Sequence, residues 1–289
     1  RPEELRDFVQ WARREHPAER YMLVLWNHGG GYLGLIADEG SAGGRMMSLE
    51  EMRAALAGQP PVDVVNFDMC LMAGYETLAK LHGVAHHAVF SEAVVPGQGN
   101  DYRMLLDSLH TRPTASSASI AAATADAFHA SYHGARASTT ISAYALDRYP
   151  AFEAELGRFA RMLREEGART TPLVREAARR SQHYGYPGLH DLGHFLAVLS
   201  TGVDEGAPLY AQMVRTFRAA VDSSFRLRSY ARNGSGAQAD DFRNSTGLHI
   251  VVPSNEGSDV LPAAGPGSYE AYAGQLPDAE WTRFLGDYL

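Results

Sequence analysis

The sequence predicts an α/β protein with a largely parallel central sheet and helices on both faces, and three observations predict it. Tyr21 to Asn27, Val62 to Phe67 and Ala85 to Phe90 are continuous apolar runs of strand length, the pattern of strands buried on both sides. Helical patterns at Ser48 to Leu56 and Leu71 to Leu81 alternate with them, and strand–helix–strand order at this spacing favours parallel neighbours. The chain has 289 residues, 45% hydrophobic and 21% charged, enough to bury a sizeable core.

Each element has a local reason. Arg1 to Glu15 is a charged amphipathic helix with Leu5, Phe8, Val9 and Ala12 on one face. A chain that opens in mid-helix on Arg1 reads as a processed product or a piece whose missing N-terminal part holds a further core strand. Ser48 caps the next helix, with Glu50 and Glu51 in its first turn and Leu49, Met52 and Leu56 on its apolar face. Helices are expected at Tyr102 to Leu109, Ser116 to Tyr132, Asp147 to Glu166, Pro172 to Ser181, Leu192 to Leu199 and Ala207 to Ser223. Strands are expected at Thr139 to Leu146, Phe225 to Tyr230 and Gly247 to Val252, and Arg232 to Asp240 reads as loop. Residues 1–255 are expected to form the main domain, with 256–289 as a helical tail ending in a helix at Asp278 to Leu285.

Composition excludes several classes. Lys and Arg number 26 against 34 Asp and Glu, a net charge of −8, which argues against a nucleic-acid partner gripped through broad phosphate contacts. No run of 18 apolar residues suggests a membrane span. The only Lys is Lys80, so arginine supplies the other basic residues, a bias that fits a GC-rich genome. The single cysteine, Cys70, excludes an intramolecular disulfide and leaves a packing thiol or a reactive one.

In an open parallel sheet, reactive groups gather beyond the carboxyl ends of the strands, where His28 follows the first strand and Cys70 the second. Gly29, Gly31 and Gly34 match a dinucleotide-binding G-x-G-x-x-G, but the Gly-rich stretch after them is no helix. His28-Gly29-Gly30-Gly31 resembles an esterase oxyanion loop, yet no serine sits in a G-x-S-x-G elbow. The third reading pairs His28 with Cys70. A thiol needs a base nearby to present thiolate at neutral pH, and the glycines offer free N–H groups and close approach to a substrate backbone. Asp68, two residues before Cys70 on an extended strand, points to the same side, and its carboxylate suits a cationic partner.

These residues resemble the clostripain-like cysteine peptidases of the caspase and gingipain group. The resemblance rests on Leu25-Trp26-Asn27-His28-Gly29-Gly30-Gly31-Tyr32, on Phe67-Asp68-Met69-Cys70-Leu71-Met72-Ala73 with Glu76, and on Ser91-Glu92 with Pro96-Gly97. Asp191-Leu192 with Phe195 and Gly247 to Pro253 are weaker echoes, and Met69, Ala93 and Asn100 depart from the family pattern. The resemblance implies a caspase-like fold lacking its first strand and helix. It implies Cys70 as nucleophile, His28 as general acid/base, and the N–H groups of Gly29 and Cys70 as oxyanion hole. It implies cleavage after basic residues, Arg above all, with Asp68 as the P1 anchor in the S1 pocket and Glu92 in reserve. Self-cleavage between the two catalytic strands is also implied, and Arg45 in its glycine-rich stretch is the candidate site. The expected partners are a protein or peptide substrate with Arg at P1, and the cleaved N-terminal segment of the chain or a regulatory domain.

No cofactor is expected. Some members of the family need calcium, for which Asp38 or Glu39 has oxygens to offer, but no EF-hand spacing is present. His190 and His194 stand four apart without the glutamate of a zinc helix, and His86 and His87 point to opposite faces of their strand, so no metal site is expected at either pair. With no leader at this N-terminus, a bacterial cytosol is expected ahead of export. Two other readings stay open: a catalytically silent scaffold with this fold that binds a partner, and a serine esterase using the His-Gly-Gly-Gly loop.

Overall fold

The structure, a computed structural model, describes residues 1–37, 45–236 and 239–289. In chain order its elements are α1 (Pro2–Glu15), β1 (Met22–Trp26), β2 (Leu35–Ala37), β3 (Met46–Met47), α2 (Leu49–Leu56), β4 (Val62–Asp68), α3 (Tyr75–Leu81) and β5 (Ala85–Phe90). Then come α4 (Tyr102–His110), α5 (Ser117–Ser131), β6 (Thr139–Ala145), α6 (Tyr149–Glu166), α7 (Thr171–Arg180), β7 (Leu189–Asp191), α8 (Leu192–Ser200) and α9 (Pro208–Val221). The chain closes with β8 (Arg226–Arg232), β9 (His249–Val251), α10 (Tyr269–Gln275) and α11 (Glu280–Tyr288).

The main sheet runs β1-β4-β5-β6-β8, while β2 and β3 form one short ribbon and β7 and β9 another. β1, β4 and β5 are parallel, whereas β6 is antiparallel to β5 and to β8. The sheet is therefore mixed, and its parallel half is the half with the apolar runs noted above. One helix between two strands returns the chain to its starting end. The two helices α4 and α5 between β5 and β6 bring it back to the far end, so β6 enters in the opposite direction.

Helices cover both faces because successive strand residues point to opposite sides. Val64, Val89, Ile141 and Ala143 pack with Ala121, Ala125 and Phe128 of α5. Val65, Phe67, Ala88, Phe90 and Tyr144 join the larger core on the other face with α2, α3 and α6. The 256–289 segment is part of that core. Trp281 of α11 lies between Phe159 and Phe195 and donates its indole N–H to the Val251 carbonyl at 2.9 Å. Ser268 caps α10, a helix absent from the periodicity reading. Among the described residues no helix is long and apolar enough to cross a membrane.

Candidate active site

Parallel pairing sets the site. Register places Trp26 of β1 opposite Asp68 of β4, so His28 and Cys70, each two residues beyond those strand ends, emerge side by side. Both line a cavity of 380 Å³ with Trp26, Asn27, Asp68, Met69, Val94, Val95, Pro96, Gly97 and Gly99. His28 is exposed and Cys70 half-buried. Trp26 and Val94 leave large apolar surfaces open at its rim, 67% and 57% exposed.

The two loops fit together only through glycine. A Cβ on Gly29 would stand 2.4 Å from the Cys70 carbonyl oxygen and 2.9 Å from Met72 Sδ. In the turn that follows, the Ile36 N–H donates to the His28 carbonyl and the Gly30 N–H to that of Gly34. Gly29 therefore occupies the non-hydrogen-bonded position opposite Leu35, with its own N–H directed away from that pairing. Among the described residues, neither the Gly29 N–H nor the Cys70 N–H has an acceptor. Two unpaired amide donors beside a thiol suit the stabilisation of a developing oxyanion.

The Cys70 loop is held from both sides. The Cys70 sulfur accepts from the Val95 N–H at 3.3 Å, and the Leu71 N–H donates to the Ala93 carbonyl at 3.1 Å. Leu71, fully buried, sits at φ +64°, a left-handed conformation unfavourable for a residue with a side chain. His249 of β9 supports it by donating Nε2–H to the Leu71 carbonyl at 2.8 Å, while its Nδ1 has no partner among the described residues. Burial lowers the His249 pKa to about 4, so the ring is a neutral donor. This turn is why α3 begins at Tyr75 rather than at Leu71. Sequence reasoning missed His249, although it lies in the Gly247 to Pro253 stretch.

Asp68 is 4% exposed, and its carboxylate accepts from the Asn100 N–H at 3.0 Å and the Tyr102 hydroxyl at 2.6 Å. Burial, followed by the bond to Asp68, pushes the Tyr102 phenol pKa up. Gly99 is at φ +61°, and a Cβ there would reach 2.5 Å from Asp68 Oδ2, so the glycine lets the backbone wrap the carboxylate. No described Lys, Arg or His forms an ion pair with Asp68. A buried carboxylate with hydrogen-bond donors but no cation has room for one in the cavity that it lines.

The other expected residues fall elsewhere. Glu92 is buried and does not line the cavity; it accepts from the Gly247 N–H at 3.0 Å, and burial, then the neighbouring Asp191, raises its pKa well above the carboxylate range. Both are buried, but Asp191 accepts the more hydrogen bonds, from the His194 N–H, the Thr246 N–H and the Thr246 hydroxyl, so the shared proton resides on Glu92. Glu92 is thus neutral and lies outside the cavity that Asp68 lines. Glu76 is likewise fully buried, accepts from Tyr272 at 2.9 Å, and is pushed up to about 7 by burial. Arg45 lies outside the cavity in a two-toothed pair with Glu51, both contacts 2.8 Å, its side chain 61% exposed. Asp38 and Glu39 lie outside the described residues. His190 and His194 do not converge: His194 Nδ1 accepts from the Gln182 N–H, whereas His190 faces Asp259.

Comparison with known proteins follows the geometry. Among solved structures, a secreted C11 cysteine protease from Bacteroides thetaiotaomicron, "iotapain", superposes with a TM-score of 0.71 at 13% identity over 98% of this chain and 77% of that one. An inactive zymogen C11 protease from Parabacteroides distasonis gives 0.68 at 19% identity, covering 98% and 75%. A structure of a secreted C11 cysteine protease from Bacteroides thetaiotaomicron in complex with an irreversible peptide inhibitor gives 0.68 at 17% identity, covering 98% and 77%. At these identities the likeness establishes the caspase-like fold. No curated protein matches the chain. The model of the Clostripain family, Peptidase_C11, matches residues 1–283, and the chain therefore belongs to the clostripain family of C11 cysteine proteases.

Proposed function

We propose that this cysteine protease is an endopeptidase that cleaves after basic P1 residues, Arg foremost, through a Cys70–His28 dyad. The observation that carries the reading is the convergence of the thiol, the imidazole and the cation-free Asp68 carboxylate on one cavity. His28 takes the thiol proton as Cys70 attacks the scissile carbonyl, and the Gly29 and Cys70 N–H groups receive the developing oxyanion. His28 then gives its proton to the leaving amine, forming a thioester and the first product. In the second half His28 takes a proton from water, which attacks the thioester and releases the acid and the thiol. Asp68 selects the substrate by pairing with its guanidinium, and the exposed Trp26 and Val94 offer apolar surface beside it. Hydrolysis of a peptide library varied at P1 tests the reading. Cleavage concentrated after Arg, with Lys second, is expected; a flat profile or a preference for acidic P1 rejects it.

Self-cleavage at Arg45 belongs to the same proposal. The Arg45–Met46 bond lies at the start of β3, and the Met46 methyl is close to Gly30, two residues beyond His28. Arg45 must leave Glu51 to reach Asp68, and an exposed ion pair opens at little cost. A cut there separates His28 from Cys70 in the chain but not in space, because β1 stays paired with β4 over five residues. The N-terminal piece is then an obligatory partner of the rest. Fragment masses of active protein should show a break after Arg45 that is absent from Cys70→Ala and from Arg45→Gln. An intact chain in the fully active enzyme rejects self-cleavage as a requirement.

A further inference from the structure

We propose that His183, His190 and Asp259 form a site for a first-row transition-metal dication, Zn²⁺ in particular, apart from the catalytic cavity. His183 and His190 are bridged antiparallel neighbours whose rings lie 5.0 Å apart, and Asp259 comes to them from the turn after β9. One ligand atom from each of the three lies within 4.8 Å of the others. His190 Nε2 is 3.0 Å from Asp259 Oδ2, and His183 Nε2 is 3.8 Å from Asp259 Oδ1. Ligands about 2.1 Å from a tetrahedral ion stand about 3.4 Å from one another, so these atoms need only small shifts.

Outer contacts orient two of the three ligands. The Gly188 N–H donates to Asp259 Oδ1 and the Ser254 N–H to Oδ2, each at 2.6 Å, leaving a lone pair on each oxygen. The Ser181 hydroxyl lies 2.9 Å from His190 Nδ1 and 3.0 Å from the Ala178 carbonyl, and it fixes the orientation of the ring. That orientation aims His190 Nε2 at Asp259 Oδ2, 3.0 Å away, with only 3% of the histidine side chain exposed. A nitrogen and a carboxylate oxygen this close hold between them either a proton or a metal ion.

The third ligand is the most exposed: His183 is 37% exposed, its Nδ1 accepts from the Gly185 N–H at 3.3 Å, and its Nε2–H donates to the Tyr186 carbonyl at 2.9 Å, a bond and a proton that it gives up for the ion. A cavity of 420 Å³ beside the three, lined also by Ser254, Glu256 and Ser258, leaves a fourth position for Glu256 or water. Arg179 lines it too, but its guanidinium is engaged by Glu176 at 2.6 Å. Two imidazoles and one carboxylate suit zinc and its neighbours rather than calcium or magnesium, which prefer oxygen alone. An ion bound there would tie the segment before β7, β7 itself and the turn after β9, the ribbon from which His249 reaches the nucleophile loop.

The test uses the metal-free Cys70→Ala protein at pH 7.5, so that the catalytic thiol takes no part. Titration with Co²⁺ should saturate at one equivalent and give visible d–d bands without a thiolate charge-transfer band. Zn²⁺ at about 100 times its Kd should raise Tm by about 5 °C. His183→Ala, at a partly exposed position, should weaken binding of either ion at least about tenfold while the protein stays folded, and Asp259→Asn should do the same. Absence of binding overturns the proposal and leaves a proton between His190 and Asp259. Full affinity in either variant overturns it as well, since the ion then sits elsewhere.

Discussion

Cys70→Ala should abolish peptide hydrolysis, lowering kcat/KM by at least about 10⁴-fold, and His28→Ala should do nearly the same. The two act as one unit, so the double variant should be little worse than either single one. The register that sets Trp26 against Asp68 delivers both groups to the same cavity mouth, and nothing else in that cavity carries a thiol or an imidazole. Both variants should remain folded. His28 is exposed and makes no side-chain hydrogen bond among the described residues, and Cys70 gives up only its contact with the Val95 backbone. Far-ultraviolet circular dichroism and Tm beside the kinetic assay separate lost chemistry from lost structure. Wild-type hydrolysis by folded Cys70→Ala would refute the dyad.

Asp68→Asn should remove the preference for arginine while sparing the chemistry. Truncating or neutralising one partner of a buried charge pair costs about 2–5 kcal/mol, roughly 30- to 5,000-fold in kcat/KM for an Arg-P1 substrate. Asparagine keeps the size of the side chain and one acceptor for the Tyr102 hydroxyl and the Asn100 N–H, so the wall of the pocket should survive. A substrate with a neutral P1 of similar length gains nothing from the anion and should be affected far less. The decisive quantity is the ratio of kcat/KM for Arg to that for glutamine at P1. It should collapse in Asp68→Asn, and an unchanged ratio would move the anchor to another group.

That His28 and Cys70 share one cavity was legible because the two motifs are local: an apolar strand ending in His-Gly-Gly-Gly, and another ending in Asp-x-Cys. Strand ends in a parallel sheet are places where chemistry collects, and glycines mark where loops touch. What the reading lacked was non-local. The apolar runs of β1, β4 and β5 declare burial on both faces, but direction depends on how many helices intervene, and α4 with α5 turns the second half of the sheet antiparallel. Leu71 to Leu81 reads as one helix because its apolar spacing is helical. The structure spends Leu71 to Gly74 on a connection that starts from the left-handed Leu71 and is held by hydrogen bonds to Ala93, Ser91 and His249, none of them near in sequence. Glu92 lies just beyond the end of β5 and Asp68 is the last residue of β4, and nothing local distinguishes them as anchors. The difference is Asp191, 99 positions later, which buries Glu92 in a shared-proton pair. His183, His190 and Asp259 show the same limit, since the i, i+4 spacing drew attention to His194 while the true neighbours lie across a turn and beyond β9.

The most direct test of the account is covalent labelling. A peptidyl chloromethyl ketone with arginine at P1 should add one equivalent to the protein, and peptide mapping should place the adduct on Cys70. The same probe with glutamine at P1 should react at least about 100-fold more slowly, a margin that disappears in Asp68→Asn. Equal rates for the two probes in the wild-type protein, or an adduct on any residue other than Cys70, would contradict it.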